Sequence, residues 1–299
     1  MSLTFVEPET TPQTVNVLLY GPPGTGKTVA ACSAPGPILA INAEGTGAFR
    51  FARKLFGDEK IREVRFEGGR TLDEAYQHLR SGDGGERTVV LDTIGEVYEA
   101  LVADYAGNGR PQLQHYGDVN TKLDRFVRAL RDLDVNVVLI AHEQIDDTDG
   151  QPTRRPATGG KKLPEKVMAQ MDLVAYTGVI ADDEGTRYMG QLVEGNGRRA
   201  KDRSGVLGAA RELDLSEWFQ TIAEEMKPAP VSEGVAEELH KAATDAGKDT
   251  KAIAGWFVSR GLESDDTDYP EVKSKAKALE AIGLLTDEAA EDFKAWVAA

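Results

Sequence analysis

The sequence contains one cysteine, Cys32, among its 299 residues. A single thiol cannot form an intramolecular disulfide, and it excludes a metal site built from cysteines. The chain has no apolar segment near its start and no apolar run long enough to cross a bilayer, so we expect a cytoplasmic protein without a membrane partner. With 35 Lys and Arg against 50 Asp and Glu, the net charge is −15, which argues against a protein that coats nucleic acid through general positive charge.

The deficit of positive charge is uneven along the chain. Residues 229–299 contain 8 Lys and Arg against 15 Asp and Glu, a balance of −7, whereas residues 194–211 contain 5 against 2, a balance of +3. A local basic segment can bind phosphate even on an acidic protein. Pro228 and Pro230 mark a linker. We therefore predict a leader at 1–14, a large core at 15–226, a linker at 227–232 and a small acidic helical domain at 233–299.

A glycine-rich segment lies between an apolar run and a helix-compatible run, and its sequence is Gly21-Pro22-Pro23-Gly24-Thr25-Gly26-Lys27-Thr28. The order of strand, glycine-rich loop and helix is that of a phosphate-binding P-loop. Glycines allow the backbone to curl around an anion, and the start of the helix adds its positive dipole end. Lys27 would reach the β- and γ-phosphates of ATP, and the Thr28 hydroxyl would hold Mg²⁺.

Short apolar runs alternate with helix-compatible segments through the first half of the chain. This alternation predicts an α/β fold, with a mainly parallel sheet flanked by helices. The Thr71 side chain is expected to cap a helix, with Glu74 completing a capping box. Strands are predicted at 15–20, 38–42, 64–66, 88–93 and 135–141, and helices at 71–80, 94–105 and 118–133.

Three side chains lie at or just beyond the carboxyl ends of predicted strands, at the edge of the sheet where functional residues collect. Asp92 ends the run Val-Val-Leu-Asp and has the setting of a Walker B aspartate, which holds Mg²⁺ through water. The next residue is Thr93, whereas many P-loop ATPases place a catalytic glutamate there. Glu44, after the second strand, is the alternative base that would polarise water. His142 follows an apolar strand and would hydrogen-bond a phosphate or Glu143.

The segment at 144–163 is polar, rich in Gly and Pro, and too long for a simple connection in a compact domain. We interpret it as a functional or disordered loop. Beyond it, we predict a short helix at 164–171, strands at 172–180 and 186–194 joined by a tight turn at 183–185, and a last helix at 213–226.

These motifs together resemble the RecA-like branch of P-loop ATPases. Residues 21–28 match Walker A, Asp92-Thr93 resembles that branch's Walker B, and Ala43-Glu44-Gly45 resembles its separate catalytic glutamate. The segment Lys201-Asp202-Arg203-Ser204-Gly205 looks like the Lys-x-Arg-x-Gly element of DnaB-type helicases and the RadA family. Across 15–222, the blend of motifs looks most like short phage-encoded ATPases, among them Sak-type single-strand annealing proteins.

The resemblance implies functions for several further residues. In those relatives the Lys-x-Arg-x-Gly element reaches the γ-phosphate of a neighbouring subunit, which implies catalytic Lys201 and Arg203 and a homo-oligomer, either a ring or a filament. The loop after the strand that ends in His142 grips single-stranded DNA in RecA-like proteins. That loop implies a DNA contact through Arg154, Arg155, Lys161 and Lys162.

The leading hypothesis is a Mg²⁺-dependent ATPase that acts on single-stranded DNA in phage recombination or replication, within the cytoplasm of an infected bacterial cell. A second hypothesis is a nucleotide-dependent switch or adaptor, which would bind a protein partner through its acidic helical tail. A third is an AAA+ motor or helicase loader, since Gly-Pro-Pro-Gly-Thr-Gly-Lys-Thr is a common AAA+ spelling of the P-loop. The absence of a glutamate beside Asp92 disfavours the third.

Overall fold

The computed structural model describes residues 14–147, 152–183 and 185–225, together with residues 247, 256, 294–296 and 298. The strands are β1 Asn16–Gly21, β2 Ile38–Asn42, β3 Ile61–Arg65, β4 Thr88–Asp92, β5 Asn136–Asp146, β6 Thr153–Ala157, β7 Leu173–Asp182, β8 Gly185–Gln191, β9 Lys201–Asp202 and β10 Ala210–Glu212. The helices are α1 Lys27–Ser33, α2 Arg50–Phe56, α3 Gly69–Ser81, α4 Ile94–Ala106, α5 Leu113–Arg131, α6 Leu163–Gln170 and α7 Leu215–Glu225.

The described strands form one sheet, in the order β10-β8-β7-β1-β5-β4-β2-β3, with β6 paired to β5 and β9 to β7. The six strands from β7 to β3 in this order are parallel to one another, and the remaining strands pair antiparallel. Parallel strands that alternate with helices confirm the predicted RecA-like P-loop α/β fold of the core. The strand that precedes Glu44, β2, lies three places from β1 rather than beside it.

Helices cover both faces of the sheet, as the apolar runs of the central strands require. One face buries residues of α3, α4, α5 and α6, among them Leu72, Leu101 and Leu123. The other face buries residues of α1, α2 and α7, among them Ala31, Ala52 and Trp218. Successive residues of β1 alternate between the two cores, because side chains along a strand point to opposite faces.

The prediction of a loop at 144–163 is wrong. Strand β5 continues to Asp146, and β6 returns antiparallel beside it, with His142 opposite Ala157 and Asp146 opposite Thr153. The Tyr20 hydroxyl lies within hydrogen-bonding distance of the Arg154 and Arg199 carbonyl oxygens, at 3.0 and 2.6 Å, which holds β6 against the end of β1. Backbone pairing and a buried anchor therefore fix the two strands of this hairpin despite their polar composition.

Two predictions about helix starts also need correction. Gly68, not Thr71, is the N-cap of α3, and the Thr71 hydroxyl instead accepts a hydrogen bond from the backbone N–H of Glu67. Helix α5 begins at Leu113, five residues before the predicted start, with a capping box between Gln112 and His115. Neither Gln112 nor His115 belongs to the usual capping residues, so sequence alone did not indicate this start.

The Cα positions divide the chain into two compact units, residues 1–224 and 225–299. In the second unit Trp256 is buried, and its ring centroid lies 6.3 Å from that of Trp296. Three predicted segments lie mostly or wholly outside the described residues. They are the leader at 1–14, of which only Thr14 is described, the linker at 227–232, and the helical domain at 233–299. None of the helices in the described part of the chain combines the length and the hydrophobicity needed to cross a bilayer.

Candidate functional site

The register of the parallel strands aligns the predicted site residues at one edge of the sheet. Gly21 lies opposite His142, and Asp92 lies between Asn42 on β2 and Ile140 on β5. The carboxyl ends of β1, β5, β4 and β2 therefore meet in that spatial order, which is the edge where open α/β sheets bind ligands. This alignment brings Lys27, Asp92, Glu44 and His142 into one region.

The P-loop connects β1 to α1 as predicted. Gly24 and Gly26 have φ angles of 78° and 80°, which glycine adopts readily and other residues rarely do. The Thr25 hydroxyl lies 2.6 Å from that of Thr177 on β7, and it donates to the Pro22 carbonyl oxygen. These contacts fasten the loop to the neighbouring strand. Thr177, which no sequence motif indicated, is therefore part of the P-loop's support.

The Lys27 ammonium is folded back onto the loop. Its Nζ donates to the carbonyl oxygens of Gly21 and Pro22 at 3.0 and 2.7 Å. Burial lowers the pKa of Lys27, while the nearby carboxylates of Asp92, Glu44 and Glu143 act in the opposite direction. Two backbone carbonyl oxygens thus hold the ammonium in place, where it is available to an incoming phosphate.

Thr28 and Asp92 present two oxygen groups side by side. The Thr28 hydroxyl donates to Asp92 Oδ2 at 2.7 Å, which joins the start of α1 to the end of β4. Burial raises the pKa of the Asp92 carboxyl to about 6, and the Thr28 hydrogen bond and the Lys27 charge offset part of that rise. Hydroxyl and carboxylate oxygens are the donors that Mg²⁺ takes, so this pair fits the predicted metal site.

The loop that carries Glu44 is fixed to the end of β4 by its backbone. The N–H groups of Ala43 and Glu44 both donate to the Asp92 carbonyl oxygen, at 2.7 and 3.2 Å. The Asn42 side chain closes the turn, because its Oδ1 accepts from the Gly45 N–H and its Nδ2 donates to the Gly45 carbonyl oxygen. Asn residues favour such turns. Asn42 is therefore a positioning residue for Glu44, and its place before the Glu44 loop was its only sequence signal.

Glu44 and His142 form a hydrogen-bonded pair across the edge of the sheet. His142 Nε2 lies 2.9 Å from Glu44 Oε1, and both side chains are partly exposed. The partner of His142 is thus Glu44 rather than Glu143. A carboxylate whose orientation is fixed by an imidazole, near a buried ammonium and a Mg²⁺-type oxygen pair, can orient a water molecule and accept its proton.

Glu143 belongs to a second set of contacts that links the site to β6. Its Oε2 accepts a hydrogen bond from the Tyr176 hydroxyl at 3.0 Å and lies 3.5 Å from Arg154 Nε. Its charge also acts on Lys27. Arg154 is therefore coupled to the phosphate side of the site through one carboxylate. Sequence alone did not assign this role to Glu143.

The other predicted DNA contacts differ in whether they already have a carboxylate partner. Arg155 forms an ion pair with Asp146 across the β5–β6 hairpin, with 3.1 Å between Arg155 NH2 and Asp146 Oδ2. Lys161 and Lys162 are exposed and lie immediately before α6. Two of the four predicted cations, Arg154 and Arg155, thus already have carboxylate partners within the chain.

Lys201 and Arg203 lie far from the P-loop of their own chain. Strand β9 pairs with the first residues of β7, at the opposite edge of the sheet from Lys27. Lys201 Nζ donates to the Met168, Ala169 and Met171 carbonyl oxygens at the end of α6. Arg203 is exposed, and its NH1 lies 3.1 Å from Asp172 Oδ1.

Comparison with known proteins identifies the family. A family model described as an AAA domain matches residues 13–204, which are 192 of the 299 residues. The chain belongs to this AAA-domain family. None of the curated proteins matches it. Among solved structures, a KaiC-like protein from the hyperthermophilic archaeon Pyrococcus horikoshii OT3 is similar, with 17% identity, a TM-score of 0.37, and coverage of 59% of this chain and 77% of that chain.

Membership of the AAA-domain family agrees with the geometry of the site. The matched range contains the whole P-loop, Glu44, Asp92 and His142, and it ends just after Arg203. A P-loop ATPase of this family binds a nucleotide at the loop. The residues present, a glycine-rich turn with a Lys and a Thr–Asp oxygen pair, also fit an accompanying Mg²⁺.

The burial of Asp92 leads to a prediction about stability. The pKa of Asp92 is about 6, above its ordinary 3.8, so its contribution to stability is present below about pH 4 and is lost as pH rises through about 6. Asp92→Asn cannot ionise and still accepts the Thr28 hydrogen bond. We expect the variant without nucleotide to be more stable than the parent by roughly 2–3 kcal/mol at pH 7.5, with little difference at pH 4.

Urea unfolding at both pH values measures this difference. Asp134→Asn, at an exposed site, is the matched control and should change the free energy of unfolding at neither pH. Equal or lower stability of Asp92→Asn at pH 7.5 would show that the buried carboxylate carries no penalty.

Proposed function

We propose that this protein hydrolyses ATP with Mg²⁺ as the metal cofactor. The observation that carries the proposal is the Glu44–His142 pair at 2.9 Å, placed at the same edge of the sheet as Lys27 and the Thr28–Asp92 pair. A glycine loop alone supports only binding. An oriented carboxylate beside it supplies the base that hydrolysis requires.

Each residue of the site has a separate role in the proposed reaction. The P-loop N–H groups and Lys27 bind the phosphates of ATP, and Lys27 offsets charge that moves onto the β–γ bridging oxygen as the bond breaks. Thr28 and Asp92 would hold Mg²⁺, which when bound neutralises charge on the phosphate oxygens. Glu44 orients a water molecule toward the γ-phosphorus and accepts its proton, so that ADP and inorganic phosphate are formed. His142 keeps the Glu44 carboxylate in place.

Glu44→Gln tests the hydrolytic role directly. The amide can still accept a hydrogen bond from His142 but is a far weaker base, so we expect turnover to fall about 10²-fold or more while ATP binding changes little. Steady-state phosphate release and the affinity for a fluorescent ATP analogue measure the two effects. Lys27→Ala should lose turnover as well, and Glu74→Gln on the exposed surface of α3 should match the parent. Full turnover in Glu44→Gln would contradict the assignment.

We further propose that the ATPase acts on single-stranded DNA, in annealing or strand exchange during phage recombination or replication. The motif resemblance supports this proposal, together with the exposed Lys161 and Lys162. The coupling of Arg154 to Glu143, whose charge acts on Lys27, offers a route by which a ligand on β6 would alter the site. A DNA phosphate that drew Arg154 away from Glu143 would change the charge beside the Lys27 ammonium.

A double variant Lys161→Ala/Lys162→Ala tests the DNA proposal. We expect single-stranded DNA to stimulate turnover of the parent protein. We expect the variant to bind DNA more weakly, and the salt dependence of its binding constant to fall by the equivalent of about two phosphate contacts. The control Arg65→Ala/Arg80→Ala removes two exposed cations elsewhere. Turnover that is slow and unchanged by single-stranded DNA, duplex DNA and RNA would contradict the proposal and favour a nucleotide-dependent adaptor.

We also propose that Arg203 acts on the nucleotide of a neighbouring subunit. Its side chain is exposed, and its partner Asp172 lies at the edge of the sheet opposite the P-loop of the same chain. A guanidinium supplied in trans stabilises charge that develops only in the transition state.

Mixing two inactive variants tests the trans role of Arg203. Arg203→Ala should lose most turnover but bind ATP, and its mixture with Lys27→Ala should regain part of the lost rate, since some sites then combine an intact P-loop with an intact Arg203. Arg211→Ala, in the same basic segment, is the control and should retain turnover. A mixture no more active than its components would contradict a role in trans.

A further inference from the structure

Two exposed apolar patches lie on the described core. The first, the α2 patch, consists of Arg50, Phe51, Lys54 and Leu55. The second, the hairpin patch, consists of Val179, Asp182, Asp183 and Tyr188 at the outer end of the β7–β8 hairpin. Apolar side chains that are exposed singly are ordinary, but neighbouring ones rimmed by charge mark interaction sites.

The α2 patch combines large exposed apolar side chains with positive charge. Phe51 and Leu55 are 62% and 66% exposed and share one face of the helix, four residues apart. The helix sequence, Arg-Phe-Ala-Arg-Lys-Leu-Phe, carries three cations and no acid in a protein of net charge −15. Beside it lies a hollow of about 430 Å³, which is lined by three cations, Arg50, Arg53 and Lys54, and by two carboxylates, Asp58 and Glu63.

The cations of this hollow differ in whether they have an interaction partner. Arg53 pairs with Glu63 at 3.2 Å, and the Arg50 guanidinium lies 5.1 Å from the centroid of the Phe51 ring. Lys54 has no ion-pair partner among the described residues. The three cations of the hollow outnumber its two carboxylates, Asp58 and Glu63, so the hollow retains one net positive charge, which suits a carboxylate from outside the described core.

The hairpin patch has the opposite charge. Val179 and Tyr188 are opposite each other in the register of the hairpin, so their side chains lie on one face, and they are 45% and 42% exposed. Asp182 and Asp183 follow at the turn, where Asp182 pairs with Arg187 and Asp183 is exposed. The Tyr188 ring also contacts Gly26, since a Cβ there would lie 3.1 Å from it.

The two patches lie at opposite ends of the same sheet. The hairpin is at the β8 end, whereas α2 connects β2 to β3 at the other end, and both patches belong to the face that carries α1. From β7 to β2 there are four strand spacings, or roughly 19 Å. The patches therefore cannot contact each other within one core, but two copies of the chain can bring them together.

We propose that the α2 patch of one copy binds the hairpin patch of a second copy of this chain. The acidic turn would enter the basic hollow, and Val179 and Tyr188 would cover Phe51 and Leu55. Because the two surfaces differ, each copy in a pair keeps one free patch, the hairpin patch on the first copy and the α2 patch on the second. The contact is therefore head-to-tail and extends to a ring or a filament. The proposal does not depend on ATP hydrolysis.

The test uses two single variants of the full chain, Leu55→Asp and Val179→Asp. Both sites are exposed, so both variants should fold, which circular dichroism and thermal unfolding check. By sedimentation velocity over a concentration series, we expect the parent to associate and each variant to weaken association about tenfold or more. An equimolar mixture should form a 1:1 dimer and nothing larger, because only one intact pair of patches remains.

Leu113→Asp is the matched control, since Leu113 is 89% exposed but outside both patches, and it should associate like the parent. A parent chain that stays monomeric at all concentrations would overturn the proposal. So would loss of association in only one of the two variants, which would indicate a symmetric contact, or a mixture that forms no dimer.

Discussion

The buried Asp92 carboxylate is the constraint on which the site depends. Its side chain accepts the Thr28 hydroxyl at the start of α1, and its carbonyl oxygen accepts the N–H groups of Ala43 and Glu44. One residue thus connects the P-loop helix, the Walker B strand and the loop that carries the proposed base. Burial of this charge is unfavourable in the absence of a cation, as its raised pKa shows. The Thr28 hydroxyl beside it completes a pair of oxygen groups of the kind that Mg²⁺ takes.

The parallel register extends this constraint across the sheet. Glu44 follows β2, which lies three places from β1 in the sheet. It still reaches the site, because the parallel strands between them end at aligned positions along one edge of the sheet. His142 then spans the gap from β5 with a single hydrogen bond. The separation of Glu44 from Asp92 in sequence is thus compatible with a shared function. Thr93, which follows Asp92, is the N-cap of α4 and accepts a hydrogen bond from the Glu96 N–H.

Local patterns predicted the elements that depend on local chemistry. The P-loop, the central strands and helix α4 agree with the sequence analysis, since glycine spacing and apolar runs fix them directly. The β5–β6 hairpin was missed because its order comes from long-range contacts, such as Tyr20 with the Arg154 and Arg199 carbonyl oxygens. Asn42, Glu143 and Thr177 were missed for the same reason. Their roles come from partners that only the folded chain brings near, and polar composition alone cannot indicate them.

The positions of the two proposed contacts between subunits restrict how the subunits would be arranged. Contact between the α2 patch and the hairpin patch places neighbouring sheets side by side along the strand order. Delivery of Arg203 requires the amino edge of one sheet to approach the carboxyl edge of the next, since Arg203 and the P-loop lie at opposite edges. A translation of one subunit along the strand order alone would bring the two patches together but would not bring Arg203 to the neighbouring P-loop. If both contacts form, neighbours must also be displaced along the strands by about one strand length, roughly 20 Å, or be inclined to one another. Displacement repeated in one direction cannot close on itself, so a helical filament satisfies both contacts more simply than a flat ring.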